Sequence, residues 1–166
     1  PKRIETKASR TAAYTCFSRA CATCESNPRF RGPDYLAEAI LPASARLLLN
    51  LAPLRRLFMQ KLFPLGIYEY VIARTKVMDE AFLAALQDGF PQIVLLGAGF
   101  DTRALRFASQ NRGTKIYELD VPATQAPKIE IFHRRGLAIP PELVFAPINF
   151  DRQDIFMVLS EAGFLE

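Results

Sequence analysis

The run Gln92-Ile-Val-Leu-Leu96, bounded by Pro91 and by Gly97-Ala-Gly99, constrains the fold of this chain more than any other feature. A short, almost wholly apolar run suits a strand buried on both faces, as in a parallel sheet covered by helices. Lys115-Ile-Tyr-Glu-Leu119 and Leu143-Val-Phe-Ala-Pro147 repeat the texture. Helices are predicted between and after them, over about residues 101–108, 122–135 and 153–162, the last closed by Gly163. Strands alternating with helices through short connections imply parallel pairing and right-handed crossovers, a doubly wound α/β, Rossmann-like arrangement. Three strands are half of a usual sheet of this kind, so the sheet is expected to be incomplete.

The segment before these strands reads as helical. Ser9 is a plausible N-cap for a helix running through Ala12, Tyr14, Phe17 and Ala20 to about Asn27-Pro28. Asp34 can cap a short helix containing Leu36 and Ile40. Leu41 to Phe63 reads as short helices punctuated by Pro42, Pro53 and Pro64. A long helix is predicted from about Ile67 to Leu86, with Ile67, Tyr70, Val71, Met78, Ala81, Phe82 and Ala85 on one stripe. Arg74 falls on that stripe, and a core-facing guanidinium needs an anion or several acceptors. Its partner could be a protein carboxylate or a ligand carboxylate, or its head could reach out to water. The expected organisation is a helical cap over residues 1–66 and an α/β half-domain over 67–166 that is cut at its C-terminus.

Composition narrows the function classes. Half of the 166 residues are apolar and 23% are charged, which is ordinary for a globular domain with a real core. The net charge is +4, but the densest basic cluster, Arg103, Arg106, Arg112 and Lys115, is interrupted by uncharged positions. That argues against a nucleic-acid footprint. No apolar run approaches the ~20 residues of a membrane span, and the N-terminus lacks a signal-peptide core, so a cytoplasmic protein is expected. Cys21 and Cys24 form a C-x-x-C, with Cys16 nearby, but no second ligand pair follows, and no metal site is expected. These cysteines read as packing residues, with a redox pair as the alternative. The chain starts with Pro and stops at Phe164-Leu-Glu166, and both ends look cut.

The candidate chemistry lies at the carboxyl ends of the strands, where ligands bind in such sheets. Gly97 and Gly99 permit a tight turn and close backbone approach, and Asp101 can cap the following helix. Glu118 and Asp120 end the second strand about twenty residues on, the spacing of an acid that accepts ribose hydroxyls. Both should point to one side of the strand; Asp120, nearer its end, is preferred. Asn149-Phe150-Asp151 at the third strand end offers an apolar wall and polar groups for an adenine. A dinucleotide fingerprint needs a third glycine where Thr102 stands, and Asp101 would put negative charge beside a pyrophosphate. The balance moves from a nicotinamide cofactor toward one with a positive charge nearby, S-adenosylmethionine.

Leu96-Gly-Ala-Gly-Phe-Asp-Thr-Arg103 with Tyr117-Glu-Leu-Asp-Val-Pro122 resembles the S-adenosylmethionine-dependent methyltransferases related to leucine carboxyl methyltransferase, the bacterial and mycobacterial group in particular. Ser9-Arg-Thr-Ala12, Ala73-Arg-Thr75, Asn149-Phe-Asp151 and Ala162-Gly-Phe164 are similar to that group as well. The resemblance implies that Arg74 holds the carboxylate of the cofactor's methionine part and that Gly97, Ala98 and Gly99 pass beside the cofactor. It implies further that Asp120 takes the ribose hydroxyls, and that Asp151 with the backbone near Phe150 sits by the adenine. Members of the family continue through further strands after the Ala-Gly-Phe region.

The reaction so implied is methyl transfer to a carboxylate or hydroxyl of a small molecule or peptide end. A carboxylate acceptor is already ionised and needs no general base, and no catalytic residue is assigned. His133, among Ile131, Phe132, Arg134 and Arg135, reads as a surface residue. Tyr14 and Tyr70 could line an acceptor pocket or pack in the core. The rival readings are a cofactor-binding fragment without activity and a nicotinamide-dependent oxidoreductase.

Overall fold

A computed structural model describes residues 8–62 and 64–165. Its α/β part is a three-stranded parallel sheet, β1 (Gln92–Leu96), β2 (Lys115–Asp120) and β3 (Leu143–Pro147), in the order β1-β2-β3. Five helices precede it: α1 (Arg10–Thr23), α2 (Ala37–Ile40), α3 (Ala43–Asn50), α4 (Ala52–Leu62) and α5 (Ile67–Gln87). Between and after the strands come α6 (Arg103–Arg106) with a 3₁₀ turn at Ala108–Gln110, α7 (Pro122–Arg134) and α8 (Ile155–Glu161). The alternation expected from the sequence is therefore present, and the sheet is open.

Strand alternation divides the core. Tyr117 and Leu119 face Val158 and Leu159 of α8, while Ile116 faces Phe82 and Leu86 of α5 and Ala104 of α6. Helices thus cover both faces, and every residue of β2 after Lys115 is buried. β1 is less enclosed, and Leu96 at its end is 60% exposed. A separate cluster joins Cys16, Phe17, Ala20 and Cys21 of α1 to Ala37, Ile40, Leu49 and Phe132 of α7, so the N-terminal helices share a core with the α/β part.

Three expectations need correction. First, α1 ends at Thr23 and not near Asn27: the Ala22 carbonyl accepts from Glu25 and from Gly32, whose missing side chain lets the following loop lie on Ala22. Second, α6 spans only Arg103–Arg106, with Thr102 at the N-cap position, although Asp101 Oδ1 does accept the Arg103 amide at 2.7 Å. Third, the buried face of α5 is Val71, Ile72, Thr75, Asp79, Phe82 and Leu86, rotated from the stripe predicted. Arg74 is exposed, and so are Ile67, Tyr70 and Met78. Arg103 and Arg106, two members of the interrupted basic cluster, are buried, at 7% exposure each.

Those two arginines meet Asp79. Arg106 binds it through Nη1 and Nη2, both at 2.7 Å, and Arg103 through Nε at 2.8 Å. Asp34 extends the network, accepting from Arg19 Nε and from the Thr102 hydroxyl at 2.7 Å each, with Arg106 Nε at 3.3 Å. Arg103 also pairs with Asp101. Three guanidiniums and three carboxylates neutralise one another in the interior.

Cys16 and Cys21 are buried, and burial pushes both thiols up to about 12. Cys24 is exposed, so the packing role fits the first two and not the third. At pH 8 a thiol reagent should therefore label one cysteine rapidly and the other two only on unfolding, which a timed mass measurement reads directly. Asp79→Ala should cost about 3–5 kcal/mol in urea unfolding, because it removes the carboxylate that two buried guanidiniums share. Glu80→Ala, on the exposed side of α5, should stay within about 0.5 kcal/mol. A loss below about 1 kcal/mol for Asp79→Ala would mean that the network is not a fixed charge pair.

Candidate functional site

Register brings the site together. β1 and β2 pair with Leu96 opposite Leu119, and β2 and β3 with Asp120 opposite Pro147. The amide of Ala98 donates to the Leu119 carbonyl at 3.1 Å, and that of Ile148 to the Asp120 carbonyl at 2.9 Å. The turn Gly97–Gly99, the acid Asp120 and the loop Asn149–Asp151 therefore lie side by side at the carboxyl end of the sheet.

The turn depends on glycine at two places. Gly97 and Gly99 adopt φ of 63° and 52°, a region that side-chain-bearing residues rarely enter. At Gly99 a Cβ would also stand 3.0 Å from the Ala12 Cβ of α1. The Gly99 amide donates to Asp120 Oδ2 at 2.5 Å, and Asp120 Oδ1 accepts from the Val121 amide at 2.7 Å. Both oxygens are thus oriented by backbone. Arg19 Nη2 braces the far end of the turn at the Phe100 carbonyl, 2.6 Å away.

Asp101, expected to offer its charge to a ligand, is half-buried and paired with Arg103. Burial alone would raise its carboxyl, but Arg103, then Lys128 and Arg19, outweigh that and hold it below the usual carboxylate range. Its negative charge is already matched within the protein. Thr102, at the place of a dinucleotide glycine, instead links Asp34 to Arg106, accepting from Arg106 Nε at 2.9 Å.

Glu118 and Asp120 share a face of β2 but differ in surroundings. Glu118 is 1% exposed and accepts from Lys128 Nζ at 2.5 Å, with Lys128 itself fully buried. Its other oxygen has no hydrogen-bond partner among the described residues. Asp120 lies at the strand end against the glycine turn. Both acids are buried, Asp120 at 9% exposure and Glu118 at 1%.

The loop after β3 is an Asx turn: the Asn149 side chain accepts from the Asp151 amide at 3.1 Å, and Gln153 Oε1 accepts from the Asn149 amide at 2.7 Å. Phe150 is 42% exposed and Asp151 is exposed, while Ile148 beneath them is fully buried. Arg74 is exposed, and no ion pair joins it to an acid among the described residues. Tyr14 and Tyr70 are exposed, so core packing does not account for them, and His133 is exposed as expected. The residues that sequence reasoning missed are Arg19, Asp34, Asp79, Arg103, Arg106 and the Glu118–Lys128 pair. Their signal is faint: isolated charges on otherwise apolar faces.

A parallel sheet covered on both faces, with a glycine turn after its first strand and an acid ending its second, defines a Rossmann-like α/β unit. The chain belongs to the leucine carboxyl methyltransferase family, whose model matches residues 12–166. A Mycolicibacterium gilvum protein is 43% identical over 101 residues, covering 60% of this chain and 40% of that protein. A Mycobacterium avium protein is 41% identical over 96 residues, covering 58% and 30%. A Mycobacterium tuberculosis protein is 38% identical over 96 residues, with the same coverage. All three carry provisional names as S-adenosyl-L-methionine-dependent methyltransferases. The matched stretches cover 30–40% of the length of these curated relatives.

Glu118 supplies a pH test of this geometry. Burial pushes its carboxyl up to about 7 from an ordinary 4.5; Lys128 opposes the rise, and Asp101 and Asp120 add to it. The folded chain then keeps a proton that the unfolded chain loses, so this contribution to stability is present below about 4.5 and lost as pH rises through 7. Thermal melts between pH 5 and 8 should show the decline, and Glu118→Gln should flatten it. An unchanged profile in the variant would place the titration elsewhere.

Proposed function

We propose that this chain carries the S-adenosyl-L-methionine site of a methyltransferase, and that the acceptor is an oxygen of a carboxylate or hydroxyl on a small molecule or peptide end. The observation that carries the cofactor reading is how the turn spends its amides. Ala98 donates to Leu119 and Gly99 donates to the Asp120 carboxylate, so the turn offers neither N–H to an anion. A dinucleotide site needs such amides for its pyrophosphate, and here a carboxylate occupies the place. An uncharged nucleoside with a cationic or zwitterionic extension suits the arrangement better than a nicotinamide dinucleotide does. The names of the mycobacterial relatives point the same way.

Each residue then has a task. Asp120, held by two backbone amides, presents acceptor lone pairs to vicinal ribose hydroxyls. Gly97 and Gly99 let the backbone approach closely. Phe150, backed by the buried Ile148, forms the wall, and Asn149 and Asp151 the polar rim, of an adenine pocket. Arg74, exposed on α5, supplies a counter-charge for an amino-acid carboxylate. Asp101 acts through its pair with Arg103, which fixes the end of the turn. When bound, the cofactor supplies an electrophilic methyl on a sulfonium; the chain's own part is alignment of the acceptor and exclusion of water. A carboxylate acceptor needs no base from the protein, consistent with a site in which no histidine takes part.

Calorimetry with S-adenosylhomocysteine tests the reading. Binding should be measurable, should fall about tenfold or more in Asp120→Ala and in Arg74→Ala, as expected for lost bonds to charged groups, and should not be matched by NAD. Binding that ignores both substitutions would overturn the site, and preferential NAD binding would overturn the cofactor. Methyl-transfer assays on the full-length protein, with carboxylate and hydroxyl acceptors compared, decide the acceptor class.

A further inference from the structure

A cavity of about 590 Å³ opens between the start of α1, the α2–α3 junction and the end of α7. Gly97–Gly99, Asp120 and Asn149–Asp151 do not line it, although Phe100, next after the turn, does. Its walls are apolar, with Ala13, Ile40, Leu41, Phe100 and Ile131 among them. Cys16 adds a thiol that burial pushes up to about 12, so the wall stays neutral across the physiological range.

The polar part of the lining has one sign. Arg10, Arg134 and Arg135 all border the cavity. The only acid paired with any of them among the described residues is Glu130, 3.9 Å from Arg134, with both side chains more than 60% exposed. Such a bridge is weak and readily exchanged. An apolar chamber of this size, within the ~300–1,000 Å³ usual for small-ligand sites, combined with guanidiniums and no lining acid among the described residues, matches one ligand chemistry. The ligand has an apolar body and a carboxylate head. Guanidiniums recognise carboxylates by paired N–H donors, and the walls would take the hydrocarbon.

We propose that this cavity binds an acyl carboxylate, with its tail against Ile40, Leu41, Phe100 and Ile131 and its head at Arg10, Arg134 and Arg135. The proposal does not depend on the cofactor reading. Phe100, next in the chain after Gly99, is the wall shared with the glycine turn, so an occupant would touch the residue that Arg19 braces.

The test is titration calorimetry of the chain with decanoate, decan-1-ol and decyltrimethylammonium. Decanoate should bind, decan-1-ol about tenfold or more weakly, and the cation not at all. Arg134→Gln and Arg135→Gln, exposed at and just beyond the end of α7, should each weaken decanoate about threefold, the size of an exposed ion pair, and leave decan-1-ol unaffected. Ala13→Trp, at an exposed position of α1, should fill the chamber and abolish decanoate binding. It also introduces a tryptophan into a chain that has none, so fluorescence reports whether the variant folds. Binding of S-adenosylhomocysteine measured on the same variants separates this cavity from the cofactor site, because failure of one leaves the other standing. Equal affinity for decanoate and decan-1-ol would overturn the head-group assignment. Decanoate binding untouched by Ala13→Trp and by both glutamines would overturn the site.

Discussion

The structure depends on a charge cluster that has little access to water. Asp79 from α5 holds Arg103 and Arg106 from α6, Asp34 from the loop before α2 holds Arg19 from α1, and Thr102 joins the two halves. Each of these ions would be costly to bury alone, and together they leave little charge uncompensated. The result is directional. Apolar packing alone would tolerate a sliding or rotated α1, whereas bonds of 2.6–2.9 Å to guanidiniums and carboxylates fix its angle on the sheet. Because Arg19 also reaches the Phe100 carbonyl, the same network sets where the glycine turn ends.

The turn inherits its shape from that frame and from β2. Gly99 has room only because Ala12 is small, and its amide is aimed at Asp120 because register sets Leu96 beside Leu119. The outcome is a strand end with an oriented carboxylate and with the Ala98 and Gly99 amides already engaged inside the protein. The chemistry of the site thus follows from its internal hydrogen bonds more than from the glycines that mark it.

Most of the α/β part was legible in the sequence, because apolar runs between Pro, Gly and helix caps leave little freedom: β1 and β3 lie where the runs lie, and β2 extends by one residue to Asp120. The orientation of α5 was not. The apolar residues Ile67, Tyr70 and Met78 suggested one face, but Asp79 and Thr75 point inward instead, and a helix whose buried face carries polar residues has no clean periodicity to read. For the same reason Arg74 was expected to face the core and is found at the surface, while Arg103 and Arg106, noted only as members of an interrupted basic cluster, lie inside. Buried ion pairs join residues far apart in sequence, so neither partner alone signals the other. The separation of Glu118 from Asp120 likewise needed the position of Lys128, ten residues on. Gly97, Gly99, Asp120 and Asn149–Asp151 were found because each follows directly from the end of a strand.

β2 is bonded on both edges and covered on both faces, whereas β1 has a strand neighbour on one edge only among the described residues, and the loop after β3 is held chiefly by its own side chains. Local opening free energy should follow that gradient. Asp120, proposed to face the ribose, then sits at the end of the slowest-exchanging strand, while the Asn149–Asp151 loop, proposed to face the adenine, belongs to the part that opens most readily. Such a site is asymmetric in time: one half waits preformed, and the other is completed by whatever enters it.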